Sequence, residues 1–216
     1  GTGNSTRFGP RTEIIYTDTP VPYTWEWVYH EGIDRHTVNN GMNEAIADRL
    51  DLQAQAKMSK FNQQHSLFIS QVAGETKELA TYGEDDVLKL FNELASHYTN
   101  IEAIGTKVAK VSPELYNVIV DHPLTTKEKD SSANIDENEI VKFKGFIVED
   151  IPEHLLQEGE VAYTYITNIA KAFTGINTVR TIESEDFDGV ALQGAGKAGE
   201  FILDDNKKAV AKVTFG

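Results

Sequence analysis

The sequence predicts an α+β fold. One long amphipathic pattern and two shorter helical ones occupy the middle, while β-forming segments occupy both ends. At 216 residues with 40% hydrophobic side chains, the chain has enough apolar material for a real core in one large domain or two small ones.

Residues 5–29 read as extended. Ile14, Ile15, Tyr16 and Val21 are β-formers, and Tyr23, Trp25, Trp27 and Tyr29 would share one face of a strand. Pro20 and Pro22 favour an edge position. Two readings of the aromatic stripe stand together: core packing, or a contact surface for another subunit. His30–His36 reads as a polar loop leading into the long helix, with Glu31, Asp34 and Arg35 available for pairing across a subunit contact.

Residues 41–73 carry the clearest signal. Ile46, Leu50, Ala54, Met58, Phe61, His65, Phe68 and Val72 recur in steps of three and four. Asn40 is placed to cap the start and Gly74 to follow the end. A helix of this span is about 48 Å long, and its single stripe suits packing across a sheet. His65 reads as a buried or boundary residue.

Residues 75–82 read as a connection. A helix over Glu84–Thr99 follows, with Glu84, Asp85 and Asp86 at its positive end, His97 at its negative end and Leu88, Phe91, Leu94, Ala95 and Tyr98 inward. Residues 106–111 form a strand, and Ser112-Pro113 opens a short helix to Val120. Residues 122–138 are a polar loop. A strand with a glycine break spans 139–148, a helical turn spans Pro152–Leu156 and a strand spans Val161–Ile166. The tail is predicted as strands at 176–183, 188–193, 199–203 and 208–215, with turns at Gly194–Gly199 and Asp204–Asn206.

The composition excludes several function classes. There is no cysteine, so disulfides, thiolate metal sites and a cysteine nucleophile are ruled out. No apolar run nears the ~20 residues of a membrane span, and no charged-then-apolar leader is read at the start. With 34 acidic against 20 basic side chains, the net charge of −14 argues against general nucleic-acid binding. The charge is uneven: residues 1–72 carry −2 and residues 73–216 carry −12.

Catalytic motifs are near misses. Gly194–Gly199 matches a glycine-rich dinucleotide fingerprint, but a strand follows and only 17 residues remain, too few for a βαβ unit. His30 and His36 are six apart with a glycine between, not the four-residue spacing of a helical zinc pair. Acid clusters at Glu149/Asp150, Glu158/Glu160, Glu183–Asp188 and Asp204/Asp205 read as solvated surface. No catalytic, cofactor-binding or metal-binding residue is assigned.

The order of elements carries a resemblance. An extended aromatic arm (Arg11–Tyr29) precedes a long helix (Met42–Ala73). An α/β region follows (Gly83–Phe173), containing Lys142–Val148 and Ile151-Pro152, and a β tail (Ile176–Phe215) closes the chain. This resembles the major capsid protein of tailed bacteriophages, the Hong Kong 97 type. It is most similar to those of phages of Gram-positive bacteria, where stretches like Arg7–Glu13 and His30–Arg35 come before the long helix.

The resemblance implies a phage capsid fold with a spine helix, a β-rich peripheral domain and an α/β axial domain. It places the returning strand of an extended loop at 1–29, the peripheral domain with its spine helix at 30–79, the axial domain at 80–175 and a completing β tail at 176–216. It also implies that an N-terminal arm and an outgoing loop strand precede this start. The function implied is that of a non-enzymatic structural subunit. It self-assembles into pentamers and hexamers around double-stranded DNA, with scaffolding, portal and maturation protease proteins as partners. It has no cofactor, no membrane and no sequence-specific nucleic acid contact. Its location is the virion capsid, and the host cytoplasm before assembly. Arg11, Glu13, Trp25, Trp27, Glu31, Asp34 and Arg35 are the subunit-contact candidates. No Lys, Asn and Glu arrangement for covalent crosslinking is identified. An encapsulin-like nanocompartment shell is the alternative. An acidic cytosolic enzyme using His30, Asp34 and His36 is a third reading. If acidic surfaces face one another between subunits, assembly strengthens with salt or Mg²⁺.

Overall fold

The computed structural model describes residues 25–35, 41–129, 139–167, 170–183 and 189–216. Strand β1 (Trp25–Asp34) leads into helix α1 (Met42–Val72), strand β2 (Glu75–Leu79) and helix α2 (Glu84–Asn100). Next come β3 (Lys107–Val111), α3 (Pro113–Asp121), β4 (Thr126–Lys129), β5 (Glu139–Phe143) and β6 (Phe146–Asp150). A 3-10 turn (Glu153–Leu155) leads to β7 (Glu160–Ile166). Two long strands, β8 (Ala170–Glu183) and β9 (Gly189–Ile202), precede a 3-10 helix (Asp204–Ala209) and β10 (Val210–Phe215).

The strands form two sheets. One is a three-stranded antiparallel ribbon in the order β1-β9-β8. The other has seven strands in the order β2-β10-β7-β3-β6-β5-β4, with parallel pairs at β2/β10 and β3/β6.

The main core lies under α2 and α3 on one face of the seven-stranded sheet. Val87, Leu90, Phe91, Leu94 and Tyr98 of α2 and Leu115 and Ile119 of α3 are buried there. They meet alternate strand residues, among them Ala109, Val111, Val141, Phe143, Phe146, Val148, Ala211 and Val213. Strand periodicity places these on one face. Phe91 packs edge-on against Phe143 and Phe146, with ring centroids 5.0 and 5.5 Å away.

Several sequence expectations hold in detail. The Ser112 hydroxyl accepts from the Leu115 amide at 3.3 Å, and Pro113 takes the first helical position. Acidic residues fill the first turn of α2, and His97 stands in its last. Within α2 the inward set shifts: Val87 and Leu90 join it, while Leu88 and Ala95 sit half-buried at its edge.

Other expectations are corrected. Residues 75–79 are a strand, not a connection, because this charged segment pairs with β10 along only one edge, where alternating charges can stay wet. Residues 126–129 leave the expected polar loop to pair with β5 for the same reason. The glycine break at 144–145 is a two-residue hairpin: Phe143 faces Phe146, and Lys144 and Gly145 both take positive φ, 51° and 84°. Residues 30–34 continue β1 rather than looping, because each finds a partner on β9. Gly194–Gly199 is no turn; it runs through the middle of β9, paired on both sides. Asp204–Asn206 opens a 3-10 helix.

At the helix ends, Asn40 lies outside the described residues, and Gly41 supplies no side-chain cap. Gly74 does not take a left-handed conformation. Its role is close approach, since a Cβ there would lie 2.6 Å from the Lys207 carbonyl oxygen.

Hydrogen-bonded ladders cross two of the domain limits drawn from sequence. The 29/30 limit divides β1, and the 175/176 limit divides β8. β2 and β10 belong to the seven-stranded sheet, while β8 and β9 belong with β1.

Candidate assembly surface

The seven subunit-contact candidates fall on β1 or beside it in sequence. Arg11 and Glu13 lie outside the described residues. Trp25, Trp27, Glu31 and Asp34 are on β1, and Arg35 follows it.

The odd-numbered residues of β1 face α1. Trp25 lies edge-on to Phe61, centroids 4.6 Å apart, and Trp27 lies 5.7 Å from the same ring. The Lys57 ammonium sits 5.3 Å from the Trp27 ring and that of Lys60 5.9 Å from Trp25. Further along, Arg49 Nη1 lies 4.0 Å from Glu31 Oε2. The pairing runs antiparallel and in step: two strand residues advance about 6.7 Å and four helix residues about 6 Å. Thus 25, 27 and 31 on the strand meet 61, 57 and 49 on the helix.

The glycine-rich stretch gains its explanation here. Trp27 pairs with Gly196, Tyr29 with Gly194 and Trp25 with Ala198. Directly opposed residues of an antiparallel pair share a face. β9 therefore presents almost no side-chain bulk where the aromatic rings meet α1, a packing role rather than a phosphate cradle.

This geometry places Trp27 inside the chain, only 4% exposed. The opposite face of β1 is open: Glu26, Val28, His30 and Gly32 are exposed, Val28 at 72%. His36 lies outside the described residues.

The face of α1 also differs from the apolar stripe. Of the stripe, Ile46, Leu50, Phe61, Phe68 and Val72 are half-buried, and Gln53, Lys57, Gln64, Ser66, Ile69 and Ser70 join them on the inner side. Met58 is 63% exposed and Leu52 51%, and Ala54 is exposed too. Aromatic faces welcome an ammonium group, and a carboxylate welcomes Arg49, so the ribbon selects polar helix residues over apolar ones. Of the 31 residues in α1, only Gln53, Ser66, Ile69 and Ser70 are buried. The helix thus spends little of its apolar surface inside the chain. His65 is exposed, not buried, and its Nδ1 lies 2.7 Å from Glu200 Oε1.

Titratable groups elsewhere are engaged structurally. His97 Nε2 lies 2.7 Å from the Lys208 carbonyl oxygen, and its Nδ1 lies 3.6 Å from Glu75 Oε2. Beside it, an open groove of about 600 Å³ follows the outer side of α2, lined by polar residues such as Lys77, Asp85, Lys89 and Asn92. The acid clusters are partly paired: Glu149 with Lys110, Asp204 with Lys207, Asp205 with Lys208. The Lys207 ammonium holds the exposed Asp204 carboxyl below its usual range. Residues 184–188 of the Glu183–Asp188 cluster lie outside the described residues. Among the described residues, no three His, Asp or Glu side chains are grouped to hold a metal ion, and no helix is long and apolar enough to cross a membrane.

Sequence reasoning assigned no role to one buried cluster: Ser70, Tyr163 and Lys212 around Glu160. Glu160 reads locally as one more acid in a turn, and its partner Ser70 is 90 positions away.

No protein-family model and no curated protein matches the chain by sequence. Solved structures do match by shape. A capsid structure of the cyanophage P-SCSP1u aligns at a TM-score of 0.65 and 10% identity, over 95% of this chain and 80% of the other. The mature capsid of bacteriophage PhiM1 aligns at 0.65 and 10% identity, over 98% and 79%. An encapsulin complex from Synechococcus elongatus aligns at 0.54 and 12% identity, over 88% and 73%. The chain has the α+β fold of phage capsid proteins, the Hong Kong 97 type, which the encapsulin shares.

Proposed function

We propose that the chain is a structural subunit of an icosahedral phage capsid, assembling with its own copies into pentamers and hexamers around double-stranded DNA. The observation that carries this reading is α1. A 31-residue helix that buries one large apolar residue and exposes Leu52 and Met58 is poorly used inside a monomer. It is well used if neighbours cover it. The capsid fold supports the same reading.

On this reading α1 with β1, β8 and β9 forms the peripheral domain. The seven-stranded sheet with α2 and α3 forms the axial domain at pentamer and hexamer centres. Residues 1–29 supply the returning strand of an extended loop, carrying the contact candidates Arg11, Glu13 and Trp25. The role is structural rather than catalytic. Scaffolding, portal and maturation protease proteins are the partners, and the subunit passes from the host cytoplasm to the virion.

Electron microscopy and sedimentation of the complete gene product, alone and co-expressed with a scaffold, test this. Closed particles are expected. A strictly monomeric species under every condition contradicts it. The likeness to an encapsulin favours a second reading, a nanocompartment shell. Particles that protect DNA from nuclease support the capsid; particles that retain a peptide-tagged cargo protein and no DNA support the nanocompartment.

A further inference from the structure

Two halves of the chain meet along one seam: α1 with its three-stranded ribbon, and the seven-stranded sheet with α2 and α3. Among the described residues the chain passes from one half to the other at Ala73–Gly74, between β7 and β8, and through Leu203–Ala209. Part of the seam is apolar, where Ile69 of α1 and Ile202 of β9 meet Tyr163 and Val210 of the larger sheet.

Beside this patch sits Glu160, whose side chain is only 8% exposed. Oε1 accepts from the Ser70 hydroxyl of α1 at 2.7 Å and lies 3.4 Å from the Lys212 ammonium of β10. Oε2 accepts from the Tyr163 hydroxyl of β7 at 2.5 Å. The Tyr163 oxygen in turn accepts from the Gln157 amide at 3.0 Å. One carboxylate therefore gathers donors from both halves.

Burying a carboxylate is costly unless its oxygens are satisfied, and an apolar residue would fill the space with less penalty. What the carboxylate adds is direction. Apolar contacts tolerate sliding, whereas hydrogen bonds weaken steeply with angle. Ser70 lies on the last turns of α1, so fixing its hydroxyl fixes the tilt of the whole rod.

We propose that Glu160 is a clamp that sets the angle between the two halves, with Ser70 as its ligand across the seam. Without the clamp the halves swing as intact bodies.

The cysteine-free chain allows the test. Spin labels on Asn62→Cys in α1 and Asp121→Cys at the end of α3, both exposed sites, report the distance between halves. The parent is expected to give one narrow distribution, which broadens in Ser70→Ala and in Glu160→Leu, both of which remove the bond across the seam. In the same variants, hydrogen exchange of amides 66–73 is expected to rise about tenfold, while amides 87–98 of α2 hold their rates. Lys212→Met, which leaves the Ser70 bond in place, is expected to keep the narrow distribution. Ser70→Ala removes a single oxygen and keeps the test open if Glu160→Leu does not fold. An unchanged distance distribution in Ser70→Ala overturns the clamp. So does a rise in exchange that spreads equally through α2, which would mark general destabilisation.

Discussion

The two halves of this chain are built on opposite principles. The seven-stranded half is a layered α/β unit whose α2 and α3 bury an unbroken apolar cluster, with Leu79, Phe91, Leu94, Leu115, Ile119 and Phe146 fully enclosed. The α1 half is a long rod on a ribbon, joined by Trp–Phe contacts, two lysines over rings, the long Arg49–Glu31 pair and the His65–Glu200 contact. The first half holds itself together; the second leaves much of its helix facing outward. A chain divided this way has one part that supplies stability and another that, on the proposed reading, neighbours would cover.

The largest expected effect lies in the first half. Phe91→Ala removes a fully buried ring from between Phe143 and Phe146 and should cost about 3–5 kcal/mol in denaturant unfolding. A loss below about 1 kcal/mol would break the contrast between the halves.

Alkaline unfolding comes next. Burial pushes the Tyr98 and Tyr163 phenols well above 10.0, and for Tyr163 the bond to Glu160 adds to the rise. Unfolded, these groups release their protons near 10.0; folded, they hold them. Their contribution is thus complete below about pH 10 and falls as the pH climbs through the folded values. Of the eight tyrosines, these two should ionise only with the loss of structure. Ionisation of all eight while the fold persists would contradict the burial.

In the second half, Phe61→Ala should cost about 1–2 kcal/mol, since its ring is only half-buried and each aromatic pair is worth about 0.5–1.5 kcal/mol. Both tryptophans of the chain lie on β1, so their emission reports this half alone. It should shift to the red in Phe61→Ala. An unchanged emission would mean that the rings are held by something other than α1.

The smallest effect on stability is expected at Met58→Ser, within about 0.5 kcal/mol for the unassembled chain. Particle yield should nevertheless fall if neighbours cover that face. Unchanged yield would remove Met58 from the assembly surface.

Much of the first half was legible in sequence because its elements bury regular apolar patterns. The period of α2 and the Ser112-Pro113 start of α3 both reflect local chemistry. β2 and β4 were not legible, since an edge strand of charged residues looks like a loop until its partner is known. In the second half, α1 was legible as a helix, but its inner face only in part. Counting apolar residues selected Ala54 and Met58, whereas the aromatic and acidic groups of β1 recruit Lys57 and Arg49. The glycines of β9 looked like a turn because their purpose, room beneath Trp27 and Tyr29, depends on a strand more than 160 positions earlier. Distance along the chain hid the Glu160 cluster in the same way.

Native-state hydrogen exchange, before and after assembly, tests the central claim most directly. In the free chain, amides 47–60 of α1 should exchange at least about a hundredfold faster than amides 87–98 of α2, and assembly should slow the α1 set strongly while leaving α2 almost unchanged. Equal protection of the two helices in the free chain, or an α1 rate untouched by assembly, would contradict the account.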